Sequence, residues 1–427
     1  MNRITACLTA ILITLSSSYT PADSVEAEVV HWWYKGGDAQ ALQTIVEAFE
    51  SRGGTWLDAG KTDFYTTREA VVSRLAKGYP PTATQWNAGI ELTEFAQLGL
   101  LNIITAPTQQ NHIRQHYYPS VLDWVTVNDQ IIAVPVTVHN ESWLWYNMAA
   151  FAGQQLSPPQ SLVELQQVTQ ALESQGITAL AVGSEAWQHR IVFMNILLAT
   201  TDKNGFNKLF FTLDADYLDS DEFATVITSF TGLAAHVRSF GTGSWSDQIA
   251  AVHRGEAAMT YMGDWAKGEF QALGGKQGEH FSCHPAPGVD YLQPVIDVFF
   301  LGGTDAPKEL ASQHTLTQAL LDTDSIIAFN KIKGSVPPFP VPDQTRSDQC
   351  ESHSYKLLKQ KQRTLAPFAS LGDGRHHGLV QEAIRTLWQD GKDSWPAARE
   401  LWLQAMTHER ARRSRLGNAM SVSGITD

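Results

Sequence analysis

Short apolar runs alternate along the chain with longer stretches in which apolar residues return every three or four positions. Val29 to Trp33 reads as a strand, and Asp38 to Glu50 places Ala41, Leu42, Ile45, Val46 and Phe49 on one helical face behind Asp38 as candidate N-cap. Trp56-Leu57 and Thr82 to Trp86 repeat the strand pattern; Thr66 to Lys77 and Ile90 to Leu98 repeat the helical one. Such alternation predicts an α/β fold with a parallel sheet. Between Trp124 and Val136 the period drops to two, and Asn128-Asp129 marks a hairpin turn. A second α/β run follows, with strands at Ser142 to Asn147, Ile177 to Val182 and Ala257 to Met262. Ser161 with Glu164 forms a capping box that opens a helix reaching Ser174.

At 427 residues the chain exceeds one ordinary core, so two lobes are expected. In open α/β sheets ligands bind beyond the carboxyl ends of the strands, and Trp33, Trp86 and Trp265 all stand at or just past such ends. They are read as flat walls of a cleft, with core filling as the alternative. Strand neighbours face opposite ways, so one of Trp32 and Trp33 belongs to the core and the other faces the cleft.

Composition narrows the function. Hydrophobic residues at 43% and charged residues at 18% fit a globular chain. A net charge of -13 argues against a nucleic-acid backbone as partner and leaves a neutral or cationic small molecule. The basic run Arg410 to Arg415 is read as a solvated helix end. Asn2 and Arg3, the apolar Ala6 to Leu15 and the small residues Ser16 to Ala27 read as an export signal over residues 1–27, cleaved after Ala22 or Ala27. Cys7 lies too early for a lipid anchor, so a soluble periplasmic product is expected. Cys283 and Cys350 then remain, and in an oxidising compartment they are expected to pair. His112 and His116 stand four apart without a nearby acid, and Asp214, Asp216, Asp219 and Asp221 lack calcium-loop spacing, so no metal and no cofactor is expected.

Five segments carry a resemblance: His31-Trp-Trp-Tyr-Lys-Gly-Gly-Asp38, Val134-Pro-Val-Thr-Val-His139, Trp187-Gln188, Tyr261-Met-Gly-Asp-Trp-Ala-Lys-Gly-Glu-Phe270 and Phe329-Asn-Lys-Ile-Lys-Gly-Ser-Val-Pro337. In order and spacing they resemble the periplasmic glucose/mannose-type sugar-binding proteins of ABC importers, within the extracellular solute-binding proteins of family 1. The resemblance implies a two-lobed periplasmic-binding-protein fold with discontinuous lobes, 28–136 plus 295–330 and 137–294 plus 331–427. Hinge strands near Val136, Pro294 and Asn330 would join them. It also implies a monomer that takes a small sugar and delivers it to an inner-membrane permease. Sugar contacts are implied at Trp32, Trp33, Asp38, Gln85, His139, Trp187, Gln188, Trp265, Asp297 and Lys333. An aromatic face would cover a pyranose ring, with carboxylate, amide and ammonium groups on its hydroxyls.

Bland readings stand beside these. Asp38 and Asp264 could each cap a helix, the former more readily. Lys333 could be a surface lysine, and Gln188 and His139 could be structural. The sequence also departs from the family at Gly60-Lys61-Thr62-Asp63-Phe64, where glycines are expected, at Ala88, where a cleft lysine is expected shortly after Gln85, and at Leu371, where a histidine is expected although His376 and His377 lie nearby in a loop. A carbohydrate-active enzyme and a binding partner of a sensor kinase are the rival readings, although no nucleophile elbow, zinc-protease, P-loop or dinucleotide motif is present.

Overall fold

In the computed structural model, which describes residues 25–342 and 348–415, the alternation resolves into two sheets and a small hairpin. The strands are β1 (Val25–Val30), β2 (Gly54–Asp58), β3 (Ala83–Asn87), β4 (Leu101–Asn102), β5 (Thr126–Val127), β6 (Gln130–Ile131), β7 (Val134–Asn140), β8 (Trp143–Asn147), β9 (Leu180–Ala181), β10 (Val237–Arg238), β11 (Met259–Tyr261), β12 (Phe281–Pro285) and β13 (Pro294–Gly302). The first sheet has the order β2-β1-β3-β13-β4, with β7 also on β13; the second has the order β10-β9-β11-β8-β12. Both are mixed rather than parallel. In the first, β13 runs antiparallel to β3, β4 and β7, and in the second, β8 runs antiparallel to β11 and β12. Hydrophobic alternation cannot report strand direction, which depends on how the chain returns. The β5-β6 hairpin turns at Asn128 and Asp129, both at positive φ (48° and 62°), the residue types that tolerate that region best after glycine.

The helices that bear on the site are α1 (Gly36–Glu50), α2 (Phe64–Ala76), α3 (Ile90–Gln97), α4 (Ala186–Phe210), α5 (Ala266–Ala272), α6 (Thr323–Lys333), α7 (Gln349–Leu358), α8 (Gly374–Asp390) and α9 (Trp395–Arg415). Ser161 accepts a hydrogen bond from the Glu164 backbone N–H, and the Glu164 carboxylate accepts one from Gln160 N, so the capping signature opens its helix as read.

Two apolar cores form. One gathers β1, β3, β13, α1 and Ile326 and Phe329 of α6; the other gathers β8, β11, α4, α8 and α9. Val336, Phe339, Val341, Tyr355, Leu357 and Leu358 pack in the first core, although the sequence reading assigned 331–427 to the second lobe. Among the described residues the chain passes between cores at Asn140–Ser142, at Leu292–Pro294, and between Leu358 and Leu365, and Cys350 also packs in the second core. These crossings are bonded together. Glu141 N donates to Gln293 O, and Leu292 exchanges backbone bonds with Arg363 and Leu365. Pro294 lies at a crossing as expected, whereas Val136 and Asn330 sit within the first core, joined by Asn330 Nδ2 donating to Val136 O at 2.8 Å.

Most of the export segment lies outside the described residues. Its last three residues, Val25 to Ala27, form the first half of β1, paired with Gly54 to Trp56, and Ala27 is fully buried. A signal extending to Ala27 would remove half an internal strand; of the two proposed cleavage points, only the one after Ala22 leaves β1 whole. The basic run is only partly a solvated end: Arg410 and Arg415 are exposed, whereas Arg412 is buried. Arg410 donates to Leu213 O; Arg412 and Arg413 both donate to the buried Glu409, and Arg413 also donates to Phe210 O and Phe211 O. Cys283 of β12 and Cys350 of α7 are joined by a disulfide.

Candidate functional site

β1 stops at Val30, so Trp32 and Trp33 occupy the loop past its carboxyl end. The alternation argument holds for the pair. Trp33 is 1% exposed, against Phe299 and Phe329 in the first core, while Trp32 is half-buried with its ring edge-on to Phe64 at 5.3 Å. Trp86, read as a possible wall, is core: it is 2% exposed among Phe64, Phe95 and Phe300.

The next residues in the loop bring in charge. Lys35, not Asp38, is the N-cap of α1, and the Asp38 carboxylate pairs with Lys333 at the end of α6. Lys333 is buried, so its charge requires that partner; its Nζ also lies 5.3 Å from the centre of the Trp33 ring. Neither the capping role read for Asp38 nor the surface reading of Lys333 survives.

His139, at the end of β7, sits between two carboxylates. Its Nδ1 bonds to Asp264 and its Nε2 lies 3.3 Å from Asp297. Asp264 follows β11 in the second lobe and also accepts Asn140 N, so it does not cap α5. Asp297 lies on β13 where a register shift against β7 falls between it and Val298, and it accepts Asn87 Nδ2 at 2.6 Å. Burial alone would depress the imidazole. The charge and hydrogen bond of Asp264, with the hydrogen bond of Asp297, outweigh it and lift the His139 pKa to about 9. His139 is thus a buried imidazolium.

Aromatic surface adjoins this cluster. The Trp265 ring stands edge-on to His139 at 5.2 Å, and Trp187, at the start of α4, lies 6.2 Å from Trp265; both tryptophans are half-buried. Gln85, fully buried on β3, accepts Trp32 N through Oε1, and its Nε2 has no protein acceptor among the described residues. Gln188 is placed differently from the expectation. Its amide braces the second lobe, accepting Gly183 N and donating to Gly243 O and Glu185.

Glycines let the two lobes meet. A Cβ on Gly37 of α1 would lie 2.5 Å from the carbonyl carbon of Gly268 in α5, and one on Gly268 would lie 2.7 Å from Ile332 O in α6. Gly334, at φ +92°, has room for no Cβ against Asp264 O. Three of the motifs that looked alike only as sequence therefore touch one another in space. Glu269 completes the contact, accepting Gly37 N at the amino end of α1, where the helix dipole favours a carboxylate.

The sequence reading passed over Asn87 and Glu269. Asn87 was legible in principle, because period two puts it on the face of Gln85, whereas nothing local marks Glu269. Leu371 is buried in the second core, and His376 and His377 stand in the first turn of α8, not in a loop. Burial pushes their imidazoles down to about 4 and about 3, so both are neutral.

A family model described as bacterial extracellular solute-binding protein matches residues 44–353. A probable sugar-binding periplasmic protein of Brucella melitensis biotype 1 is 29% identical over 389 residues, covering 88% of this chain and 90% of that protein. An uncharacterised ABC transporter extracellular-binding protein of Pyrococcus horikoshii is 26% identical, covering 87% of this chain and 84% of its own. Among solved structures, a chitin oligosaccharide binding protein superposes with a TM-score of 0.75 at 15% identity, covering 91% of this chain and all of that one, a likeness of two-lobed fold.

Proposed function

From the premise that this chain belongs to the bacterial extracellular solute-binding proteins, we propose that it binds a small neutral sugar between its lobes, a single-ring hexose such as glucose or mannose, and delivers it to an ABC permease. One observation carries the sugar reading. Side chains from both lobes converge where Trp265 and Trp187 adjoin the His139, Asp264 and Asp297 cluster, with Asp38 paired to Lys333 nearby. Tryptophan faces suit the C–H face of a pyranose, and carboxylate, ammonium and amide groups suit its hydroxyls. Such a site rejects analogues lacking a hydroxyl, because its own buried groups would then go unpaired. Of the ten implied contacts we retain Trp32, Asp38, Gln85, His139, Trp187, Trp265, Asp297 and Lys333 as ligand-facing candidates, and assign Trp33 and Gln188 to support.

The single-ring reading is supported by closure at the rim. Gly37 meets Gly268, and Gly89 at the start of α3 packs against the Ala369 backbone of the second lobe. We place the protein in the periplasm, as a monomer without cofactor, acting by binding and release without catalysis. Titration calorimetry of the mature protein with neutral hexoses, disaccharides and uronic acids tests all of this. Saturable heat from one hexose, with Kd near 1 μM (about -8 kcal/mol) and the sugar recovered unchanged, is expected. Silence across the panel overturns the sugar reading, and continuing heat with bond cleavage replaces the binder with an enzyme.

A further inference from the structure

The loop from Gly60 to Phe64 is firmly held. Lys61 N donates to His31 O at 2.7 Å and Gly60 N to Asp58 Oδ1 at 2.8 Å. Asp63 caps α2, accepting Thr66 N at 2.8 Å and the hydroxyls of Thr62 and Thr66. Two aromatic residues follow. Phe64 packs edge-on against Trp32 and touches Trp86 and Tyr65. Tyr65 crosses to the second lobe, where its Oη donates to Gln381 of α8 at 3.3 Å.

Tyr65 is half exposed, at the edge where the first lobe meets α8. Beside it, Gly374 of α8 lies close to the Arg68 guanidinium, so α2 and α8 meet along this edge.

We propose that Phe64 and Tyr65 are specificity-determining residues: a lip on the first lobe that orients Trp32, closes against α8, and limits the ligand to a single sugar ring. This rests on the sugar reading above and adds the structural element that sets ligand length. Tyr65 acts by occupying the path, and Phe64 acts through Trp32.

The test is calorimetry on the wild type, Tyr65→Ala, Gln381→Ala and Phe64→Leu, with glucose, mannose, galactose and xylose and with maltose, cellobiose, mannobiose, lactose and xylobiose. Thermal melting is recorded for each variant. The wild type is expected to prefer its best monosaccharide over the matching disaccharide by about 100-fold, and Tyr65→Ala to narrow that ratio to about 10-fold or less with unchanged melting. Gln381→Ala should fall between, and Phe64→Leu should weaken the monosaccharide without admitting the disaccharide. A wild type that binds disaccharides as tightly as monosaccharides overturns the lip, as does a Tyr65→Ala ratio within about 2-fold of wild type. A wild type that binds none of the panel overturns the sugar reading itself, and the lip with it.

Discussion

The proton on His139 is held between carboxylates from both lobes, and its release has a definite sign. The folded pKa of about 9 lies above the ordinary histidine value of 6.5, so the stabilisation is complete below pH 6.5 and is lost as pH rises toward 9. Melting of the wild type should fall from pH 6.5 to 9.5 more steeply than that of His139→Gln; parallel curves would show that the imidazole is neutral throughout. The tryptophans separate in the same way. Trp33→Ala, in a filled core, should cost about 3 to 5 kcal/mol by denaturant unfolding. Trp265→Ala should leave the unfolding midpoint nearly unchanged and weaken sugar binding by ~10-fold or more, since stacking is lost at a half-exposed ring.

At the scale of elements, the amino ends of α1 and α5 meet only because Gly37 carries no side chain. A methyl on Gly37 would strike main chain, which cannot rotate aside, so the helices must part. Gly37→Ala should therefore enlarge the radius of gyration seen by small-angle scattering and reduce sugar affinity, while two folded cores remain by circular dichroism. An unchanged radius with wild-type affinity would show that the contact does not control closure. The capping box at Ser161 and the Asn128-Asp129 turn were legible because each is settled within four residues. Asp38 was misread for the complementary reason: it has the chemistry of a cap, but Lys333 lies 295 residues away in sequence.

Across the whole molecule, α7 begins beside the second sheet and ends in the first core. Cys350 at its start is bonded to Cys283 of β12, and Lys267 of α5 pairs with Asp348 at 2.5 Å next to it. The disulfide closes a separation of 67 residues, worth about 4 kcal/mol in the chain-entropy account. Reductant should lower the melting temperature of the wild type toward that of Cys283→Ser/Cys350→Ser, and should not change the double variant. A wild type unaffected by complete reduction would mean that the third crossing is held by packing alone.

Sequence alone determined that the fold is α/β and two-lobed, where the helices and turns fall, and that aromatic and acidic residues gather past strand ends. Each of these follows from periodicity, local hydrogen bonding or chain length, which neighbouring residues decide together. Tertiary structure alone decided strand direction, the true crossing points and the role of each site residue. It set Trp33 and Trp86 in the core, turned Gln188 inward, gave Asp38 to Lys333 and Asp264 to His139, and made the scattered glycines one surface. Those outcomes turn on which distant groups desolvate one another, and a buried charge or a missing Cβ shows its partner only when the chain has folded.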